Sequence, residues 1–217
     1  MSSGKLEDDL QNLSFDGGNE SLERTITEAR ETLNHQIQAL NDMDTKAVKI
    51  LRVNVLVIGV LLSALSFGAK SDSLAVTDFW SQYFGIGLVL LLTSSATAAL
   101  TYRTTDFRAG VDSGNVIQVL DHDVTDEELL RVLTKSYAKW IQYNTEANLR
   151  NAPWITLTTI TLVASLTYFS LGVYHVALDT VSPFLLAGTN FLLLVVVYLS
   201  GFPALARRYV ARRRQRL

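Results

Sequence analysis

Residues 41–69 read NDMDTKAVKILRVNVLVIGVLLSALSFGA, and this stretch decides the fold. Its first part is charged up to Arg52, and the next charge along the chain is Lys70. The seventeen residues between them, 53–69, are mostly Val, Leu and Ile. A helix rises about 1.5 Å per residue, so this segment and its flanks can cross a hydrocarbon core of roughly 30 Å. Because no breaker separates the two parts, we predict one helix that passes from water into a membrane.

The overall composition also indicates a membrane protein. Of the 217 residues, 48% are hydrophobic and only 18% are charged, and the mean hydropathy is +0.21. The apolar residues are clustered in long uncharged blocks, which are typical of membrane spans. Residues 1–45 are polar and acidic, so we predict no signal peptide and a location in the cell membrane.

Three further uncharged runs follow, at residues 79–102, 151–178 and 180–206. We therefore predict an all-α integral membrane protein with four transmembrane helices and cytoplasmic helical extensions before spans 1 and 3. The predicted segments are a flexible acidic tail (1–18), a cytoplasmic amphipathic helix (19–52), transmembrane hairpin 1 (53–102), a cytoplasmic loop and helix (103–150), transmembrane hairpin 2 (151–206) and a basic cytoplasmic tail (207–217).

The start and end of the second extension can be predicted from local signals. Thr125 followed by Glu128 is a capping box, which predicts a helix start. We expect this helix to end at Arg150 and a new helix to begin near Pro153.

The positions of Lys and Arg predict the orientation. The outer loops contain only Lys70, whereas basic residues flank the other end of every span. Basic residues favour the cytoplasmic side, so both termini should be cytoplasmic.

An apolar stripe with a seven-residue repeat runs along the first extension. Its members are Leu22, Ile26, Ala29, Leu33, Leu40, Met43, Ala47 and Ile50, with Gln36 interrupting one row. Such a stripe needs a partner in water. Two partners fit: another helix of the same chain, or a second copy. For the second case, we predict the oligomer seam to be Ile26, Leu33, Leu40 and Met43.

We find no residue set for catalysis. The chain contains no cysteine, and His35, His122 and His175 fall in three separate predicted segments. The spans carry no Asp, Glu, Lys or Arg, which argues against a proton relay, a voltage sensor or an ion-coupled transporter. We therefore predict no enzyme, no cofactor and no metal site.

Polar residues inside the spans have two interpretations. Asn54 lies just inside span 1, where it needs a polar partner or interfacial water. Small residues near the end of span 2 favour close packing of helices. Alternatively, a polar pore lining could be formed by Ser94, Ser95, Thr97 and Asn190.

The densest charge cluster is the basic tail. Residues 204–217 contain six arginines and no acid: Arg207, Arg208, Arg212, Arg213, Arg214 and Arg216. We predict that this tail faces anionic membrane lipid and that nucleic acid is not its partner. Contact with the acidic segment 1–45 is the alternative.

Residues 42–51, DMDTKAVKIL, resemble the point where the first span begins in the Pycsar-type membrane effector domain of prokaryotic defence systems. In that family a cytoplasmic helix ends in a D-x-K-A-like motif and continues into the membrane; the matching residues are Asp44, Lys46 and Ala47. The plan also resembles, more distantly, SLATT membrane domains. The resemblance implies a protein that impairs the membrane when a signal is sensed.

These observations lead to three functional hypotheses. The first is a non-enzymatic, oligomeric effector or signal-transducing component, whose coupling junction is Asp44, Lys46, Ala47, Lys49 and Arg52. The second is a small channel or pore. The third is a membrane scaffold subunit that acts through a partner protein.

Overall fold

The computed structural model describes residues 18–68, 81–103, 125–178 and 180–214. These residues form five helices, and no strand occurs in the described ranges: α1 (Asn19–Gly68), α2 (Gln82–Arg103), α3 (Asp126–Leu178), α4 (Pro183–Leu199) and α5 (Phe202–Arg214). The prediction of an all-α fold is confirmed for the residues that the structure describes. The predicted acidic tail lies, except for Gly18, outside the described residues.

Three of the helices, α1, α2 and α3, are long and apolar enough to cross a membrane. Helix α4 is apolar as well, but it contains only 17 residues. By length and composition, the prediction of a membrane-associated helical protein is confirmed.

Helix α3 differs from the sequence prediction at Pro153. We expected one helix to end at Arg150 and another to begin near Pro153, but α3 is a single helix of 53 residues with this proline inside it. A proline removes the N–H that would bond the carbonyl of Leu149. Helices in membranes tolerate this loss, because neighbouring helices and local adjustment satisfy the freed carbonyl. The predicted helix start is confirmed, since the Glu128 N–H donates to Thr125 Oγ1 at 3.4 Å.

The chain divides into two compact units. The first unit contains α1 up to Asp42 and α3 up to Arg150. The second contains the remainder of α1 and α3 together with α2, α4 and α5 up to Arg214.

In the first unit, the apolar stripe of α1 packs against α3. Ile26, Leu33 and Tyr137 form a buried cluster, with Leu133 and Trp140 packed around it. The Tyr137 and Trp140 rings meet edge to face, with centroids 5.1 Å apart. This packing supports the intramolecular alternative for the stripe.

Polar contacts show that α1 and α3 run parallel in the first unit. Arg30 Nε donates to the Tyr137 hydroxyl at 3.2 Å, and Gln36 Nε2 donates to Thr145 Oγ1 at 2.8 Å. Asn148 Nδ2 donates to the Gln36 carbonyl at 3.3 Å. The partners are separated by 107, 109 and 112 residues. Because this separation is nearly constant, residue numbers increase in the same direction along both helices, as they do in a parallel pair.

In the second unit, α2 and α3 run antiparallel around an aromatic contact. Phe84 and Phe169 meet edge to face at 5.1 Å, within a cluster that includes Leu91 and Leu162. A Cβ atom added at Gly172 would lie 3.4 Å from the backbone nitrogen of Phe84. The two helices therefore approach closely, as small residues allow in lipid.

Candidate functional site: a buried polar column

The second unit buries polar side chains between α1, α2 and α3. All are at most 7% exposed: Asn54, Ser94, Thr97, Thr101, Asn151, Thr158, Thr161 and Ser165. Five of them form the interhelical hydrogen bonds detailed below, and we call these five the polar column: Asn54, Ser94, Thr97, Thr158 and Ser165. Hydrocarbon offers no hydrogen bonds, so polar groups that are buried among membrane-spanning helices must find partners in protein.

One connected set of bonds joins the three helices. Asn54 Nδ2 on α1 donates to Ser94 Oγ on α2 at 3.1 Å. Ser94 Oγ in turn donates to the Thr158 carbonyl on α3 at 3.0 Å. The hydroxyl oxygens of Thr158 and Thr97 lie 2.9 Å apart. Ser94 is thus the central residue, because it contacts both neighbouring helices.

A second crossing lies further along α3. Ser165 Oγ donates to the Gly87 carbonyl at 2.8 Å. A Cβ atom added at Gly87 would lie 2.9 Å from Cδ1 of Phe169, closer than such atoms normally approach. The glycine therefore permits the close contact in which the serine reaches the backbone of α2.

Several of the buried polar residues follow a seven-residue spacing. On α3 the buried polar positions include Asn151, Thr158 and Ser165, and on α2 Ser94 and Thr101. Seven residues are two helical turns, so each set lies on one face of its helix. This spacing is present in the sequence and is the signal that could have identified Thr158 and Ser165, which sequence reasoning missed.

Asn54 contains an acceptor without a partner. The residue is completely buried, and its Oδ1 atom receives no hydrogen bond. A buried polar atom in this state costs about 1–3 kcal/mol. Asn54 was predicted to need a polar partner, and Ser94 satisfies only its amide nitrogen.

The four residues of the predicted polar lining do not lie together. Ser94 and Thr97 belong to the polar column. The Ser95 hydroxyl donates to the Leu91 carbonyl of its own helix at 2.9 Å. Asn190 on α4 accepts a hydrogen bond from the Tyr168 hydroxyl at 2.9 Å. In this structure Ser94 and Thr97 are buried in the contacts between helices.

The other predicted residues are placed as follows. Ile26 and Leu33 of the oligomer seam are covered by α3, while Leu40 is buried and Met43 half-buried. All five junction residues lie within α1; Ala47 is buried, Asp44 half-buried, and Lys46, Lys49 and Arg52 are exposed. Arg207 is exposed, the backbone of Arg208, Arg212, Arg213 and Arg214 lies in α5, and Arg216 is outside the described residues.

A groove of about 520 Å³ opens between the second-unit parts of α1 and α3. Its lining is apolar except for Ser170: Val53, Leu56, Val57, Val60, Leu61, Leu166, Phe169, Ser170 and Val173. This chemistry suits a lipid chain or an apolar helix. Within the described ranges, no three His, Asp or Glu side chains lie together as metal ligands.

The chain matches no protein-family model, no curated protein and no solved structure.

Proposed function

We propose that this chain is a non-enzymatic, multi-pass protein of the cell membrane, and that it acts as an oligomeric effector or signal-transducing component. The observation that carries the proposal is the construction of α1. This helix has 50 residues. Its charged first part belongs to the first unit, and its apolar last part belongs to the second. A protein that senses in the cytoplasm and acts in the membrane needs such a helix.

The proposed topology has four spans, with both termini and the first unit in the cytoplasm. Helix α4 serves as the fourth span; at about 1.5 Å per residue it reaches about 25 Å, near the hydrocarbon thickness. The basic residues favour this orientation.

The absence of native cysteine permits a direct test of the topology. Glu31 and Thr180 are both exposed, and each can be replaced by a single cysteine. In intact cells, a membrane-impermeant maleimide should label Thr180→Cys but not Glu31→Cys, which should react only after permeabilisation. Labelling of Glu31→Cys in intact cells would refute the proposed orientation.

Oligomerisation is proposed to use the membrane part of α1, because the cytoplasmic stripe is covered. Only 6% of the most apolar stretch of α1 is buried, against 39% for α2 and 33% for α3. Leu56, Val60 and Phe67 are 69%, 67% and 78% exposed, and their spacing puts them on one face. A second copy can pack there through close van der Waals contact, the main attraction between helices in lipid.

Disulfide crosslinking in native membranes tests this interface. Val60→Cys should form a crosslinked dimer. Ile58→Cys is the matched control, since Ile58 lies two residues away and packs against the core. Monomer alone with Val60→Cys, under conditions that oxidise an exposed thiol, would argue against oligomerisation through α1.

Signal transfer is proposed to pass through the coupling junction. In this part of α1 the helix has no break, and Lys46 is exposed, so a change there acts mainly on the backbone. Lys46→Pro should interrupt the helix, whereas Lys46→Ala keeps it. If expression depolarises the cell membrane, as measured with a potential-sensitive dye, only the proline variant should be silent at equal membrane levels. Equal depolarisation by both variants would refute coupling through this junction.

A gated pore is the second candidate function, and the polar column favours it. Hydroxyl and amide groups lie along the contact between three spans, and their separation would expose a polar path. Flux through liposomes that contain the purified protein tests this idea, with Ser94→Val expected to reduce the flux. If no trigger produces flux, the pore is refuted and the effector without a pore remains.

A further inference from the structure

Helix α4 ends at a backbone turn that requires glycine. Gly201 has a φ of +70°, a conformation that other residues adopt only with strain. Its N–H donates to the Tyr198 carbonyl at 3.2 Å, and the Ser200 N–H donates to the Val196 carbonyl at 2.9 Å. Such bonds satisfy the last carbonyls of a helix. The turn is therefore a built feature of this chain.

A new helix starts immediately after the turn. The Ser200 hydroxyl accepts the Phe202 N–H at 3.2 Å, and the Gly201 carbonyl accepts the N–H groups of Ala204 and Leu205, both at 3.1 Å. Pro203 has no N–H, which suits the first turn of a helix. Helix α5 is thus separate from α4 and does not continue it.

The two helices differ sharply in chemistry. Helix α4 is apolar with no buried residue, and Tyr198 near its end is 77% exposed. Helix α5 contains five arginines and no acid among 13 residues. Its apolar residues, which include Phe202, Leu205, Ala206 and Val210, recur at a spacing of three to four. Apolar residues at this spacing together with many basic ones are typical of helices that lie in a membrane interface.

We propose that α5 lies on the membrane surface and binds anionic lipid headgroups, with Gly201 supplying the turn out of α4. The proposal rests on α4 being the fourth span, because only then does α5 begin at the interface. Anionic lipid is the partner that fits: the arginines supply opposite charge next to an apolar, membrane-length segment, and the aromatic ring of Tyr198 suits the headgroup level.

The test uses the full chain with one cysteine, Ala211→Cys, at an exposed position of α5. The cysteine carries an environment-sensitive fluorophore, and the protein is reconstituted in phosphatidylcholine vesicles with or without phosphatidylglycerol. We expect a blue shift with phosphatidylglycerol that high salt reverses. Arg207→Gln should lower the ratio of surface-bound to free α5 by roughly fivefold.

Two glycine variants distinguish the effect of the turn from a general loss of structure. Gly201→Ala should weaken the lipid-dependent shift, because alanine opposes the positive φ although its Cβ meets open space. Gly188→Ala is the matched control: it lies within α4, also faces open space, and should leave the shift unchanged.

Two outcomes would overturn the proposal. One is an equal signal in neutral and anionic vesicles; if high salt reverses that signal in both, α5 lies on an acidic protein surface. The other is a shift produced in neutral vesicles by inorganic phosphate alone, which would make free anions the ligand. Failure of the fourth span is detected separately, because a membrane-impermeant maleimide would then label Ala211→Cys in intact cells, whereas the proposed topology keeps this position in the cytoplasm.

Discussion

Replacing Asn54 by leucine should not destabilise the protein, although it removes a buried hydrogen bond. The bond from Asn54 Nδ2 to Ser94 Oγ crosses between helices, and such bonds contribute about 0.6 kcal/mol on average in membrane proteins, at most about 1.7. The same side chain buries an unbonded Oδ1, which costs about 1–3 kcal/mol. Leucine is close in volume and has no polar atom, so we expect a free energy of unfolding that is unchanged or up to about 2 kcal/mol higher.

Ser94→Ala, in contrast, should lower the free energy of unfolding. This change removes the acceptor of Asn54 Nδ2 and the donor to the Thr158 carbonyl, so the Asn54 amide loses its one interhelical bond. A loss of about 2–3 kcal/mol follows, since a stranded buried group costs its full desolvation. Ser95→Ala is the matched control: its hydroxyl bonds only within α2, and the expected change is within about 0.5 kcal/mol.

The measurement is reversible unfolding of the purified protein in mixed micelles of increasing SDS content, followed by circular dichroism. In the double variant Asn54→Leu with Ser94→Ala, the loss should be smaller than for Ser94→Ala alone, because no amide is stranded. The reasoning is refuted if Asn54→Leu costs as much as Ser94→Ala, for the bond would then outweigh the unpartnered oxygen.

Two further predictions concern packing in each unit. Gly87→Ala should lower the free energy of unfolding by about 1–3 kcal/mol, because its Cβ would overlap the Phe169 ring, whereas Gly85→Ala meets open space and should cost nothing in the same assay. Equal effects would show that α2 and α3 are not in tight contact. Leu33→Asp should make the first unit sensitive to limited proteolysis, since it buries a carboxylate in an apolar cluster, while Thr32→Asp at an exposed position should not. Equal cleavage rates would contradict the packing of α1 on α3.

The apolar runs and the seven-residue stripe carry most of the fold information. Length and composition predict helices of membrane size, and Ile26 and Leu33 are buried as their spacing requires. The predicted helix end near Pro153 is wrong because the rules for helix ends describe helices in water. There, a carbonyl that has lost its N–H partner to proline usually marks the end of a helix.

The polar column is harder to predict, because a sequence shows helix faces but not which faces meet. Ser94 and Thr97 stand out as polar residues in an apolar run. The predicted polar lining also included Asn190, which instead bonds to Tyr168. This contact could not be predicted, because hydrogen bonds between helices depend on their register. The partner of Asn54 could be inferred only once α1 and α2 are aligned.

The parallel pairing of α1 with α3 also has a consequence for biosynthesis. Tyr137, which covers Ile26 and Leu33, lies 107 residues after its hydrogen-bond partner Arg30. At about 5–20 residues per second, the ribosome reaches it roughly 5–20 seconds later. With the first unit in the cytoplasm, as proposed, the nascent first helix displays its apolar stripe to water during that interval. A chaperone that recognises such stripes should therefore associate with ribosomes translating this chain, and release it as α3 emerges.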